Sequence, residues 1–214
     1  MADPEHLAKL KQGVKVWNGW REESPDISPN LKGADLSRTN LRGVFLAGVD
    51  LEEASFEEAD LEKAILWRAN LGKSTFWRAH LEGADFLEAN MRGAELIRAN
   101  LREAGFLGTD LQEASFAGAD LEKADLWKAN LVRASLYKVH LKKAVLWRAN
   151  LEGADLAEAN LEAAILWKAK LLGALNLSVE QLSQVRTIYG AELDNRLRMV
   201  IERDFPHILT KPKP

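Results

Sequence analysis

The sequence predicts an all-β solenoid with a short helical segment at each end. Three observations predict it. A large apolar residue recurs every five positions from Leu31 to Leu171. The residue two places before each of these is small. The stretches on either side, residues 1–30 and 176–214, lose that beat and carry helix signals instead. A period of five fits neither the 3.6 of a helix nor the 2.0 of a strand, and it fails the 3.5 of a coiled coil as well. A chain that turns a corner every five residues accounts for it.

The beat covers residues 31–175, which is 145 residues or 29 repeats without a slip, and every centre is Leu, Phe or Met. The small residue is nearly always Ala; the exceptions are Thr39, Val44, Val49, Ser74, Thr109 and Val139. Both residues are expected to point inward, the small one because the sides converge on a narrow axis. One place before the centre stand Asp35, Asn40, Asp50, Ser55, Asp60 and Asn70. Short polar side chains there suit a tight turn, because they hydrogen-bond nearby backbone.

The pattern A-(D/N)-L-x-x, as in ADLSR, ANLRE, ADLEK and ANLEG, resembles the pentapeptide-repeat family over residues 31–175. That resemblance implies a right-handed quadrilateral β-helix with four repeats, or twenty residues, per coil. A little over seven coils follow from 145/20. At a strand spacing of about 4.8 Å they make a rod roughly 35 Å long.

A solenoid needs covered ends, or it stacks on other rods. Residues 1–30 are expected to form a helical N-terminal cap. Asp3-Pro4 reads as N-cap and first helical position, and Leu7, Leu10, Val14 and Trp17 share one helical face. Pro25 and Pro29 end the segment. Residues 176–214 are expected to form a helical C-terminal cap and tail. Ser178 and Gln181 read as a capping box opening a helix to about Tyr189, with Gly190 as its stop. Asp194 reads as a second N-cap before Leu197, Val200 and Ile201, Pro206 ends that helix, and Lys211–Pro214 is expected to fray. The flanks also resemble sequences that border bacterial pentapeptide repeats.

Residues twenty apart should stack in columns. One outward column then reads Ala47, Trp67, Leu87, Leu107, Trp127, Trp147 and Trp167, beside Phe45, Ile65, Asp85, Gly105, Asp125, Val145 and Ile165. This is an apolar stripe on one face, and Trp67, Leu87, Leu107, Trp127, Trp147 and Trp167 are the candidate partner-binding residues. Large contiguous apolar patches are uncommon on soluble monomers, whereas stacked aromatics also stabilise a sheet by about 0.2–1 kcal/mol per pair. Arg68, Lys128, Arg148 and Lys168 follow the Trp residues and are placed to lie over the rings. The opposite face is milder, and the other two are charged. Residues 31–125 carry 18 acids and 11 bases, net −7, and residues 126–175 carry 4 acids and 8 bases, net +4.

Composition and motifs exclude much else. The chain has no cysteine, hence no disulfide and no thiolate site. The net charge of −3 gives no global basic field for nucleic acid. No apolar run suits a signal or a membrane span, so a cytoplasmic protein is expected. His80 and His140 share a face three coils apart, too far to share a metal. No H-E-x-x-H, P-loop or G-x-S-x-G motif occurs, and convex rods lack the clefts that catalytic pairs need. The expectation is a non-enzymatic scaffold with no cofactor and no metal, binding an unidentified protein partner, with no direct nucleic-acid contact, no membrane, and a monomeric state. The family resemblance also implies an alternative, a DNA mimic that modulates a type II topoisomerase of the gyrase and quinolone-protection kind. Against it stand the absence of a loop insertion in the repeats and acidity over only part of the rod.

Overall fold

The computed structural model describes residues 1–211. The expected fraying at Lys211–Pro214 concerns, beyond Lys211, residues outside that range. From Asn30 onward the backbone pairs with itself at a fixed stride. Asn30 bridges Asp50, Asp35 bridges Ser55, and each later side repeats the step, always parallel and always twenty residues ahead, up to Asp155 with Leu175. Four five-residue sides therefore close each circuit. The pairing is one residue wide rather than a run of regular strand, because a turn occupies the other four residues of each side.

Each repeat satisfies its own backbone, as buried amides must. The centre donates its N–H to a carbonyl one circuit ahead, as Leu31 does to Asp50 at 2.7 Å. So does the residue two later, as Gly33 does to Glu52 at 2.8 Å. The small residue closes the turn, Ala34 N–H to Leu31 O at 2.9 Å. The residue before the centre donates backward, as Asp50 does to Pro29 O at 3.0 Å. That leaves the residue after the centre, whose N–H is taken in many repeats by a preceding Asp or Asn side chain. Ser37 N–H donates to Asp35 Oδ1 at 3.0 Å, and Glu122 N–H to Asp120 Oδ1 at 2.9 Å. The Asp/Asn preference thus has a hydrogen-bond cause, although Phe45, Ile65, Val145 and Ile165 hold the same position without it. The same side chains also join between circuits, Asn70 Nδ2 donating to Asp50 Oδ1 at 2.8 Å and Asn90 Nδ2 to Asn70 Oδ1 at 2.8 Å.

Each turn places its third residue at positive φ, from Gly33 (67°) to Gly173 (65°), and this holds in all 29 repeats. Positive φ confined to that position is the pattern of a type II turn. The centres are buried throughout, and the small residues nearly so. Inside the rod Phe56 stacks on Phe76 at 4.8 Å and Phe86 on Phe106 at 4.9 Å between ring centroids.

The N-terminal segment differs from a single helix. Gly13, at φ 107°, divides it into α1 (Pro4–Lys11) and α2 (Val14–Glu23). Asp3 caps α1, its carboxylate accepting from the Glu5 and His6 amides. Helix α2 fits the exposed edge of the first circuit. Asn18 accepts from Phe45 N–H at 2.9 Å and donates to Gly43 O at 3.0 Å, doing what a neighbouring strand would do. Trp17, fully buried, donates Nε1–H to Phe45 O at 2.8 Å, and Arg21 donates to Ala47 O at 3.0 Å and Ile27 O at 2.7 Å.

The C-terminal end also departs from expectation. The Ser178–Gln181 capping box is present, but α3 spans only Val179–Ser183. It stops short because the chain rejoins the ladder: Thr187 bridges Ile165, and Glu192 bridges Lys170, now twenty-two residues on. Ile188, Gly190 (φ 68°), Ala191 and Leu193 fill the centre, turn and small-residue roles, with Ala191 N–H closing on Ile188 O at 2.9 Å. Helix α4 (Asn195–Asp204) follows, then a short 3-10 helix, Pro206–Leu209. Asp194 precedes α4 without capping it; its Oδ1 accepts from Gly173 N–H at 3.2 Å. Ile208 O accepts from Ile188 N–H at 2.9 Å, closing that edge.

Candidate interaction surface

The residue after each centre leaves the turn outward, so the column through positions 47 to 167 is set by backbone geometry alone. The bridges from Phe45 to Ile65, Asp85, Gly105, Asp125, Val145 and Ile165 hold its rungs in register. Trp67, Leu87, Leu107, Trp127, Trp147 and Trp167 therefore lie on one face, as a column rather than one continuous stack. Trp67 stands apart, 40% exposed, with Leu87 and Leu107 between it and the other three indoles. Trp127 and Trp147 stack at 5.2 Å with planes 11° apart, and Trp147 and Trp167 at 5.1 Å and 18°. All three are half-buried.

A fourth ring extends the stack. Tyr189 packs edge-on to Trp167 at 5.7 Å. It was not readable from the five-residue beat, because two extra residues precede it. The signal lay in TIYGAEL at 187–193, which keeps the repeat's order of roles.

The flanking cations divide. Lys128 Nζ lies 5.0 Å from the Trp127 ring and the Arg148 guanidinium 5.9 Å from the Trp147 ring. Arg68 turns instead to Glu88, Nε to Oε2 at 2.8 Å. The Nε1–H groups of Trp127, Trp147 and Trp167 are all shielded from water and have no hydrogen-bond partner among the described residues. At the other end of the face, α2 forms a cleft of about 500 Å³ with it, lined by Asn18, Arg21, Glu22, Pro25, Gly43, Phe45 and Ile65. Burial lowers the pKa of the Arg21 guanidinium from its ordinary value.

Ion pairs join rungs over much of the remaining surface. Arg42 meets Glu62 and Asp60, Arg102 donates to Glu122 at 2.6 Å and Asp120 at 3.2 Å, and Lys142 meets Glu162 at 2.9 Å. Hydrogen bonds to Glu122 and Asp120 raise the Arg102 pKa. On the opposite face Arg78 lies 4.3 Å from the Trp77 ring and Lys138 5.0 Å from the Tyr137 ring. His80 and His140 occupy the bridge position of one charged face, with Asn100 and Asp120 on the rungs between them. Among the described residues no cluster of three His, Asp or Glu side chains is arranged to hold a metal ion. Nor is any helix there long and apolar enough to cross a membrane.

A family model of pentapeptide repeats matches residues 30–68, 68–103, 109–148 and 140–174. The chain belongs to the pentapeptide-repeat family. No functionally curated protein matches it. Among solved structures, this pentapeptide-repeat protein is similar to HetL of Nostoc sp. strain PCC 7120, a protein involved in heterocyst differentiation regulation. The identity is 29% over 81% of this chain and 92% of that one, with a TM-score of 0.31. It is similar to QnrB1, a plasmid-mediated fluoroquinolone resistance protein, at 21% identity over 82% and 95% of the two chains, with a TM-score of 0.46. A pentapeptide-repeat protein of the Arabidopsis thaliana thylakoid lumen matches at 24% identity over 55% of this chain and 68% of its own, with a TM-score of 0.26.

Proposed function

We propose that this pentapeptide-repeat protein is a non-enzymatic interaction scaffold. Its tryptophan face, Trp67, Leu87, Leu107, Trp127, Trp147 and Trp167, docks a protein partner. The finer architecture in this reading is a right-handed quadrilateral β-helix of a little over seven coils at 31–175, with caps at 1–30 and 176–214, working as a cytoplasmic monomer.

The observation that supports docking is the Trp127–Trp147–Trp167 stack with its three unpaired indole N–H groups. A shielded donor without an acceptor lowers stability by about 1–3 kcal/mol. The internal Phe56–Phe76 and Phe86–Phe106 pairs stack as closely with no polar atom to bury. A ladder kept for rigidity alone would use such rings. Outward aromatics that leave donors unpaired fit a surface kept for contact, where Trp is enriched. The DNA-mimic alternative is less well supported, because the rod is acidic over only part of its length, net −7 over residues 31–125 against net +4 over residues 126–175.

The test is affinity capture from the native cell with the whole chain as bait, beside a Trp127→Ser/Trp147→Ser/Trp167→Ser variant whose circular dichroism shows it folded. Proteins held by the wild type should be lost from the variant. Equal recovery of the same proteins by both baits rejects the docking role.

A further inference from the structure

The tryptophan face carries a charge pattern that the rest of the rod lacks. Most cations of the repeats are paired with an acid one rung away, as Arg38 is with Glu58, Arg42 with Glu62, Arg102 with Glu122 and Lys123 with Glu103. Four that border the indole stack are exposed and form no ion pair among the described residues: Lys128, Lys143, Arg148 and Lys168. Lys143 sits in the turn that leads into the face, and the other three sit in the turns that leave it. One cationic edge, Lys128, Arg148 and Lys168, thus runs along the stack, and Lys143 stands alone on the other side. Asp125 is the acid within this part of the face, and its Oδ1 already accepts the Trp127 amide at 3.0 Å. Elsewhere in the repeats Lys73, Arg78 and Arg98 are also unpaired, but they stand on the far edges of the rod.

We infer that this end of the face binds an extended protein segment in which acidic and apolar side chains alternate. The inference rests on the docking role proposed above and names its partner's chemistry. Apolar side chains of such a segment lie on the half-buried indole rims of Trp127, Trp147 and Trp167, and its carboxylates reach the edge formed by Lys128, Arg148 and Lys168. An extended chain lying between the stack and that edge supplies this arrangement, since successive side chains point to opposite sides, the apolar ones to the indoles and the acidic ones to the cations. A single-stranded nucleic acid would also bring negative charge, but it binds aromatics by stacking bases on ring faces. Here those faces are closed, since the rings cover one another at 5.1–5.2 Å and Lys128 and Arg148 lie over two of them. The neighbouring part of the rod, net −7 over residues 31–125, also repels a long polyanion but not a short segment confined to the basic end.

The test uses the full chain and labelled synthetic peptides read by fluorescence anisotropy. One alternates Glu and Leu; its controls replace Glu with Ser or with Lys, and an oligothymidylate of equal length completes the set. The variant is Lys128→Glu/Lys143→Glu/Arg148→Glu/Lys168→Glu. Glu already occupies the same turn position at Glu53, Glu58 and Glu88, so the variant keeps an allowed backbone. The Glu peptide should bind the wild type about tenfold or more tighter than the Ser peptide, weaken as salt rises, and lose its advantage to the Lys peptide in the variant. Equal binding of all three peptides to both proteins overturns the acidic partner and leaves the docking role standing. No binding of any peptide, or tighter binding of the oligothymidylate, overturns the acidic segment as partner, and the capture experiment then decides the docking role on its own.

Discussion

The third residue of each turn is held in the left-handed region, where an L side chain costs about 1–2 kcal/mol. Nine of the 29 turns use Gly there, and the other twenty use Arg, Lys, Glu or a single Ala, Ala163. No β-branched residue occupies the position. Branching at Cβ crowds the carbonyl that positive φ brings close, whereas an unbranched stem clears it. Arg98, at φ 56° and without an ion pair, isolates this effect. Arg98→Gly relieves the strain but adds entropy to the unfolded chain, so its stability should stay within about 1 kcal/mol of wild type. Arg98→Val should lose about 1–2 kcal/mol or more, although it leaves the solvent contact otherwise alike. Denaturant melts of the pair check it; Val as stable as Gly would show that the turns carry no strain.

At the scale of elements, the solenoid's weak points are its two edges, and each is met by backbone-like hydrogen bonding as well as by apolar cover. Asn18 on α2 pairs with both Phe45 N–H and Gly43 O. Asn18→Leu keeps the bulk and removes both bonds, so it should cost about 1–3 kcal/mol, with faster hydrogen exchange at the Phe45 amide than at amides in mid-rod. Unchanged exchange at Phe45 would mean that α2 does not shield that edge. The edges also mark where the sequence stops being legible. Turns, core and columns all follow from one local rule repeated, and local rules are written in neighbouring residues. The α1–α2 break is written there too, in Gly13. That Asn18 reaches Gly43 and Phe45, and Arg21 reaches Ala47, 25 to 27 residues away, is a tertiary fact with no local trace. At the other end, Ser178–Gln181 was readable as a cap, but the return of the ladder at Thr187 was masked by two added residues. With it went Tyr189 as part of the aromatic column.

For the whole molecule, each circuit touches only the circuits beside it, so the ends decide whether the rod stays single. Residues 176–211 complete the last rungs through Thr187 and Glu192 and close Ile188 with Ile208. A chain ending at Leu175 would present unpaired donors and acceptors along a full circuit, an open template for another rod. By light scattering it should show a mass that climbs with concentration, while the full chain stays at 23.9 kDa. A truncated chain that remains single would place the barrier to stacking elsewhere. The fixed stride of twenty also makes a side chain's compass bearing depend only on its residue number, counted modulo twenty. Removing one whole circuit shortens the rod and leaves every bearing intact. Removing a single repeat, such as residues 111–115, swings everything downstream by a quarter turn. Trp127, Trp147 and Trp167 would then continue the line of Arg42, Glu62, Glu82 and Arg102. The core would stay apolar throughout, since every centre is Leu, Phe or Met. In such a chain, length changes of five redraw the surface map while those of twenty only trim it.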